Sequence, residues 1–421
     1  MGSDGPAVLV SGIGVMLPGA DSTHDLWAHL VGGRSQVRPL VHPLPEIDVH
    51  VGAYIEHFDY RDYLPDLSPA HAKWYSREIM LVLAALDHAR RDAGLDATPL
   101  DPARVGVLAS SSRGPAMWWS RDQTVTGFAE GIPVSDSIFA SLAGCPASLG
   151  AIRIGAAGLV STISNACVGG HQVISLAMNA IRSGEADVMY VVGHEFPLVK
   201  EVMQIYGSQR LRVLSREKAS PVEAVKPYDS NRDGFVLGEG AVVLVLERSD
   251  HARRRQANVY ARLMGGAAMS EGQHGMRMDI TGQGAAETMM RALRHAGCSP
   301  GHVDYVCGHG TATRYNDLAE GRAARIVFGE QSRRPPLGSI KPVYGHLLGA
   351  AGILNCAAVA LMLKYQCLVP TINCVKPDPE CAGDHVTEGA RRAPLAVAMS
   401  MAFAVGSQNS AIVLGAVDHD T

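Results

Sequence analysis

The chain has no CxxC pair among its eight cysteines, no extended basic block, and no uninterrupted apolar segment of membrane-spanning length. The first absence argues against a structural zinc site or a redox dithiol, so the thiols are expected to be free in a reducing compartment. The second, with a net charge of −4, argues against nucleic acid as a partner. The longest apolar stretch, 347–363, is interrupted by Asn355 and falls short of the ~20 residues a bilayer span needs. A helix so apolar on every side belongs inside a multilayered protein. No secretory signal pattern opens the sequence, and Met1-Gly2 lacks the later Ser or Thr that myristoylation requires. The expectation is a cytoplasmic protein that uses no membrane. At 421 residues, 47% hydrophobic and 19% charged, the chain has enough length for a large core.

What is present is a cysteine in an unusual place. In the stretch Ser164-Asn165-Ala166-Cys167-Val168-Gly169-Gly170-His171, a β-rich run ends and an apolar helix begins. A thiol at a helix N-terminus faces unpaired N–H groups and the positive end of the dipole, so its pKa is expected to fall. Two Gly-rich turns each carry a histidine. One is Cys307-Gly308-His309-Gly310-Thr311-Ala312-Thr313, followed by Asn316, Asp317 and Glu320. The other is Gly338-Ser339-Ile340-Lys341-Pro342-Val343-Tyr344-Gly345-His346, followed by the apolar stretch. One cysteine and two histidines on such turns supply a nucleophile and two candidate proton donors.

The chain also repeats itself. Ala85-Leu86-Asp87-His88-Ala89 before the apolar strand 105–109 is echoed by Ala292-Leu293-Arg294-His295-Ala296 before strand 303–306. The Cys167 turn and its helix have a counterpart in the His346 turn and its helix, and Gly238–Leu246 in Gly406–Leu414. The expected division is 1–255 and 256–421, with α/β layers in each half.

In these motifs, their order, and the segment Pro227-Tyr228-Asp229-Ser230-Asn231-Arg232-Asp233-Gly234, the chain resembles the β-ketoacyl-[acyl-carrier-protein] synthases, the Cys-His-His branch of the thiolase superfamily. The resemblance covers nearly the whole length. It implies a five-layered αβαβα thiolase fold of two pseudo-repeats, with the active site between them. It implies that Cys167 takes an acyl chain as a thioester. His309 and His346 would then donate hydrogen bonds to the thioester carbonyl of a malonyl-carrier protein while decarboxylation makes the enolate. Lys341 matches the family's active-site lysine, either orienting this cluster or serving only as a structural ion-pair partner. The oxyanion would be held by backbone N–H groups of Cys167 and of the residue at Val405. No cofactor is implied, because phosphopantetheine arrives on the carrier protein. Arg212 matches the segment that contacts the acidic carrier helix, with a plain surface arginine as the alternative. A homodimer, or a heterodimer with a chain-length-factor-like subunit, is expected.

The departures from the family pattern are local. Asn165 and Val168 flank the Ala166-Cys167 pair, and Asn355 stands where the fatty-acid enzymes usually carry glutamate. Ala312, Arg314 and Tyr315 alter the His309 turn. The gating segment reads Phe403-Ala404-Val405-Gly406, with valine for the family's gatekeeper phenylalanine and alanine for its preceding glycine. These changes point to a specialised polyketide, polyene or fatty-acid ketosynthase. A thiolase-fold acyltransferase that does not elongate, and a carrier-binding partner subunit without chemistry, are the competing readings. The retained cysteine argues against the second.

Overall fold

The computed structural model describes residues 5–120, 138–208, 210–275, 278–329, 334–381 and 383–417. Its centre is a pair of helices, Gly169–Arg182 and Ala351–Tyr365, which pack on each other and on strands from both halves of the chain. Small residues at the crossing allow that approach. A Cβ on Gly170 would come within 3.0 Å of the Ile353 nitrogen, and one on Gly352 within 2.8 Å of the His171 ring. The segment Leu348–Tyr365 is long and apolar enough to pass for a membrane span, yet 89% of it is buried inside the protein. Burying each of its Leu and Ile side chains is worth roughly 1.5–3 kcal/mol, so it serves as a core helix.

Ten strands form one mixed sheet. In spatial order they are Leu337–Gly338, Tyr305–Cys307, Val397–Ala404, Gln408–Gly415, Ala261–Ser270, Val8–Met16, Gly240–Arg248, Val188–Glu195, Val105–Ser110 and Val160–Ile163. The two middle strands meet antiparallel over three residue pairs, Val8 with Leu263, Leu9 with Arg262 and Val10 with Ala261. Outward from that junction both halves run antiparallel, antiparallel, parallel, parallel. The paired motifs read from the sequence therefore occupy equivalent positions in two pseudo-repeats. Helix Arg77–Asp92 covers the outer face of one half and Gln283–Ala296 that of the other, completing five layers.

One central side chain shows how the layers are locked. His171 on the first central helix is buried, with Nδ1 3.0 Å from Ser410 Oγ and Nε2 2.9 Å from Ser400 Oγ, both on second-half strands. Burial pushes its pKa down to about 3, so the ring stays neutral and shares its two nitrogens with two hydroxyls.

Candidate active site

Cys167 sits between the end of strand Val160–Ile163 and the start of helix Gly169–Arg182. The preceding Ala166 has φ 44°, a left-handed conformation that a residue with a Cβ rarely adopts and that turns the chain sharply into the helix. The thiol lies 3.3 Å from His346 Nε2. The reactive atoms of Cys167, His309 and His346 all lie within 4.8 Å of one another, and no other Cys, His, Asp or Glu group among the described residues is so placed. The sequence motifs, 179 residues apart for Cys167 and His346, thus converge on one point.

The electrostatics differ from the sequence expectation in one respect. Burial pushes the Cys167 thiol up to about 12, against opposing pulls from Lys341 and Arg113. The lowered pKa expected from the helix terminus does not survive, because the cost of a desolvated thiolate exceeds what the terminus and the two cations return. Burial also holds both His309 and His346 well below the usual histidine range, helped by the Lys341 charge. The resting site is a protonated thiol facing neutral imidazoles, each of which offers one donor and one acceptor.

The His309 turn is held from several sides. Glu320 accepts the His309 backbone N–H at 2.5 Å, the Gly310 N–H at 2.9 Å and the Tyr228 hydroxyl at 2.9 Å. Lys341 Nζ donates to the His309 carbonyl, and the lysine is buried with its pKa lowered by desolvation. Asp317 accepts the Tyr228 N–H at 2.8 Å, while Arg232 lies 3.7 Å from Asp317 and 2.7 Å from Asp378. The Tyr228 ring stacks on His385 at 4.4 Å. The 227–240 segment is therefore the cradle of the site. Its far end pairs with the other histidine turn, where His346 N–H donates to the Val236 carbonyl at 2.7 Å and Gly238 N–H to the His346 carbonyl at 3.1 Å. A Cβ on Gly238 would lie 2.1 Å from the Tyr344 oxygen, so only glycine fits there.

A second buried carboxylate joins the halves. Glu195 accepts the N–H groups of Ser112 at 2.7 Å and Arg113 at 3.0 Å, and that of Gly349 at 2.9 Å. It ties the loop after strand Val105–Ser110 to the turn before the second central helix. Glu195 was not singled out from the sequence, and Tyr228 entered there only as part of the 227–234 segment, with no role of its own. Their partners lie 82 to 154 residues away, at spacings no local pattern encodes.

The remaining sequence candidates divide between the wall of the site and the surface. Phe403 is buried with its ring 5.8 Å from His309. Ala404 ends its strand, and Val405 begins the hairpin turn with 57% of its surface exposed. That turn is pinned to the 271–275 segment, through Gly406 N–H to the Gly275 carbonyl at 2.8 Å and Ser407 Oγ to the His274 carbonyl at 2.5 Å. Asn165 Nδ2 donates to Gln172 Oε1 at 2.9 Å and reaches Gln408 Oε1 at 3.4 Å, linking the cysteine turn to the hairpin. Asn355 donates to the Gly308 and Met401 carbonyls, both at 3.3 Å, where a glutamate would need to be protonated to do the same. Ala312 is buried at φ 59° in the position where the family favours glycine. Arg212 is exposed, two residues before Leu214, which bridges to Phe235; the Phe235 ring stands 5.0 Å from His346.

Residues 6–252 match the family described as beta-ketoacyl synthase, N-terminal domain, and residues 260–375 match its C-terminal domain. The chain belongs to the beta-ketoacyl synthase family. It is a condensing enzyme of the acyltransferase class. It is 33% identical over 417 residues to a putative polyketide beta-ketoacyl synthase 1 of Streptomyces halstedii, covering 97% of each chain. It is 31% identical over 415 residues to 3-oxoacyl-[acyl-carrier-protein] synthase 2 of Coxiella burnetii, covering 97% of this chain and 98% of that one. Among solved structures, a type II polyketide ketosynthase in complex with its acyl-carrier protein, bound to the hexaketide, is similar with a TM-score of 0.86 and 28% identity. That match covers 98% of this chain and all of the other.

Proposed function

We propose that this ketosynthase extends an acyl chain held on Cys167 by decarboxylative Claisen condensation with malonyl-carrier protein, in type II polyketide biosynthesis or a specialised branch of fatty-acid biosynthesis. The observation that carries the reading is the convergence of one thiol and two neutral imidazoles within 4.8 Å.

In the first half-reaction Cys167 attacks the carrier-bound thioester. His346, 3.3 Å away, takes the thiol proton, and the carrier's pantetheine thiol leaves with a proton. In the second, malonyl-carrier protein loses CO2. The enolate oxygen is stabilised by N–H donors of His309 and His346, and the carbanion attacks the Cys167 thioester. Such donors are worth roughly 2.7–4 kcal/mol each where charge develops. Lys341 and Glu320 fix the His309 turn. The backbone N–H of Cys167 and that of Val405 hold the second oxyanion. The chain needs no cofactor of its own, and phosphopantetheine comes with the carrier.

The carrier protein docks through Arg212. The working unit is a dimer with a second copy or with a chain-length-factor-like subunit. Supporting this are the edge strand Val160–Ile163, in which Val160 is exposed, and the exposed apolar residues Phe139, Leu142 and Trp119. We read the halves as 1–255 and 256–421 and the enzyme as cytoplasmic. Purified protein incubated with acyl- and malonyl-carrier proteins should release CO2 and a β-ketoacyl-carrier protein. Absence of both products would refute the reading.

A further inference from the structure

A single side-chain amide ties the turn of the nucleophile to the hairpin that carries Val405. Asn165, one of the residues at which the chain departs from the family pattern, directs its Nδ2 at two acceptors, Gln172 Oε1 at 2.9 Å and Gln408 Oε1 at 3.4 Å. An amide nitrogen carries two hydrogens, so one group serves both. Gln172 lies in helix Gly169–Arg182, within its first turn, and the first bond therefore closes the 165–172 bend that presents the Cys167 thiol. Gln408 opens strand Gln408–Gly415 and pairs across the hairpin with Ala404, the residue before Val405. The second bond thus reaches the base of the hairpin from 243 positions away in the chain. The turn above that base is short, and it runs through left-handed backbone at Gly406 (φ 87°) and Ser407 (φ 56°). On its other side it is held by the 271–275 segment.

We propose that Asn165 is a positioning residue for acyl transfer, its amide holding the Val405 N–H in register with the Cys167 N–H so that both face the thioester oxygen as it takes on charge. The inference deepens the reading given above and rests on it, both for Cys167 as the acyl acceptor and for these two N–H groups as the oxyanion donors. In loading, the Cys167 sulfur bonds to the acyl carbon and the carbonyl electron pair moves onto oxygen. Collapse of that intermediate breaks the carrier's C–S bond, and the thiol proton ends on the released pantetheine sulfur. Donors fixed in advance around the charged oxygen need no reorganisation at that moment. The two donors belong to different halves of the chain, one at a helix start and one on a turn whose Val405 side chain is largely exposed. A turn so exposed has little packing of its own to fix it, and the amide bridge supplies a constraint at its base. Asn165, Gln172 and Gln408 are all half-buried, so removing the bridge leaves both glutamines within reach of water. The fold then loses little while the register of the two donors loosens.

The test separates acylation from alkylation at the same sulfur. Iodoacetamide reacts by displacing iodide and builds no oxyanion, so it reports on the thiol alone. Acylation is followed as the mass gain of the Cys167 peptide after mixing with an acyl-carrier protein at several concentrations. Losing one oxyanion donor outright slows a reaction by roughly 10²–10³-fold, and loosening one should slow it less, by about tenfold in Asn165→Ala at saturating carrier. The half-saturating carrier concentration and the alkylation rate should both stay within about twofold of wild type, because the bridge acts on the transition state and not on binding. Gln408→Leu should show the same split, and the double variant should match Asn165→Ala, because both changes break one bridge. A wild-type acylation rate in either single variant would overturn the proposal. So would equal losses of acylation and alkylation, or losses that multiply in the double variant. Each of these results leaves the ketosynthase reading intact. Should Asn165→Ala fail to fold, Gln408→Leu decides by the same split. A wild-type Cys167 that iodoacetamide labels but no acyl-carrier protein acylates would bring down the reading and the proposal together.

Discussion

Lys341 and Glu320 grip the His309 turn from opposite ends of the same residue, the ammonium at its carbonyl and the carboxylate at its N–H. Both are buried, and the Glu320 charge is among those that favour the Lys341 ammonium against its desolvation. The imidazole itself has no hydrogen bond at Nδ1. Its position is set through the main chain and by the flanking rings of His346 and Phe403.

Replacing Glu320 tests that grip. Glu320→Gln would aim an NH2 group either at the His309 N–H or at the Gly310 N–H and the Tyr228 hydroxyl, and should lower malonyl decarboxylation by one to two orders of magnitude, with Cys167 still alkylated by iodoacetamide. The variant should also change the pH dependence of stability. Burial raises Glu320 to about 7 and Asp317 to about 6, so the folded protein keeps protons that the unfolded chain has lost. The contribution of these two groups to stability therefore slopes downward as pH rises from the ordinary carboxylate range to about 7, while the buried His171, His194, His309 and His346, kept neutral by the fold, contribute with the opposite sign. Glu320→Gln should flatten that slope in denaturant titrations between pH 4.5 and 7; an unaltered slope would show that Glu320 is not the group responsible.

The two histidines should separate in a labelling experiment. Only His346 touches the thiol, at 3.3 Å, and a thiol pushed up to about 12 needs a proton acceptor. His309→Ala should lose decarboxylation by a hundredfold or more but retain an iodoacetamide rate within a few-fold of wild type. His346→Ala should lose decarboxylation and also slow alkylation. Equal alkylation by both variants would remove His346 from the loading step.

Asn355→Ala should cost roughly 1–3 kcal/mol of stability, because it strips a shared donor from the buried Gly308 and Met401 carbonyls. Urea unfolding measures this directly. A change below about 0.5 kcal/mol would mean that water or a small backbone shift satisfies both carbonyls.

Charge reversal at Arg212 should weaken acyl-carrier protein binding about tenfold at low salt and much less at high salt, chiefly through the association rate. Surface plasmon resonance at two ionic strengths separates this from a structural effect. Equal binding of Arg212→Glu and wild type at low salt would place the docking surface elsewhere.

Much of the site was legible because each reactive residue lies in a local context with its own signature. Cys167, His309 and His346 each follow or precede an element whose apolar pattern is unmistakable, and Gly238 and Gly170 mark places where two backbones nearly touch. The pseudo-repeat was readable for the same reason, since paired helices and strands carry similar short motifs. What escaped was anything decided by contact between distant segments. The Glu320 carboxylate was visible as part of a motif, but its bond to Tyr228 spans 92 residues. Arg113 and Tyr206 lie 93 residues apart, in segments without periodicity that links them. The thiol's pKa was misjudged because a helix terminus can be read from the chain, whereas burial of the sulfur depends on layers assembled from both halves. The exposure of the Val405 side chain on its hairpin turn was likewise not legible in the sequence, which offered only the backbone role.

The most direct test of the central claim is the intact mass of the protein during a single turnover. Incubation with an acyl-carrier protein should add one acyl group, mapped by peptide analysis to Cys167. Subsequent malonyl-carrier protein should discharge it, releasing CO2 and leaving a β-ketoacyl group on the carrier. Cys167→Ala should show neither adduct nor product. An adduct that persists after malonyl-carrier protein is added, or an equal adduct on the alanine variant, would contradict the account.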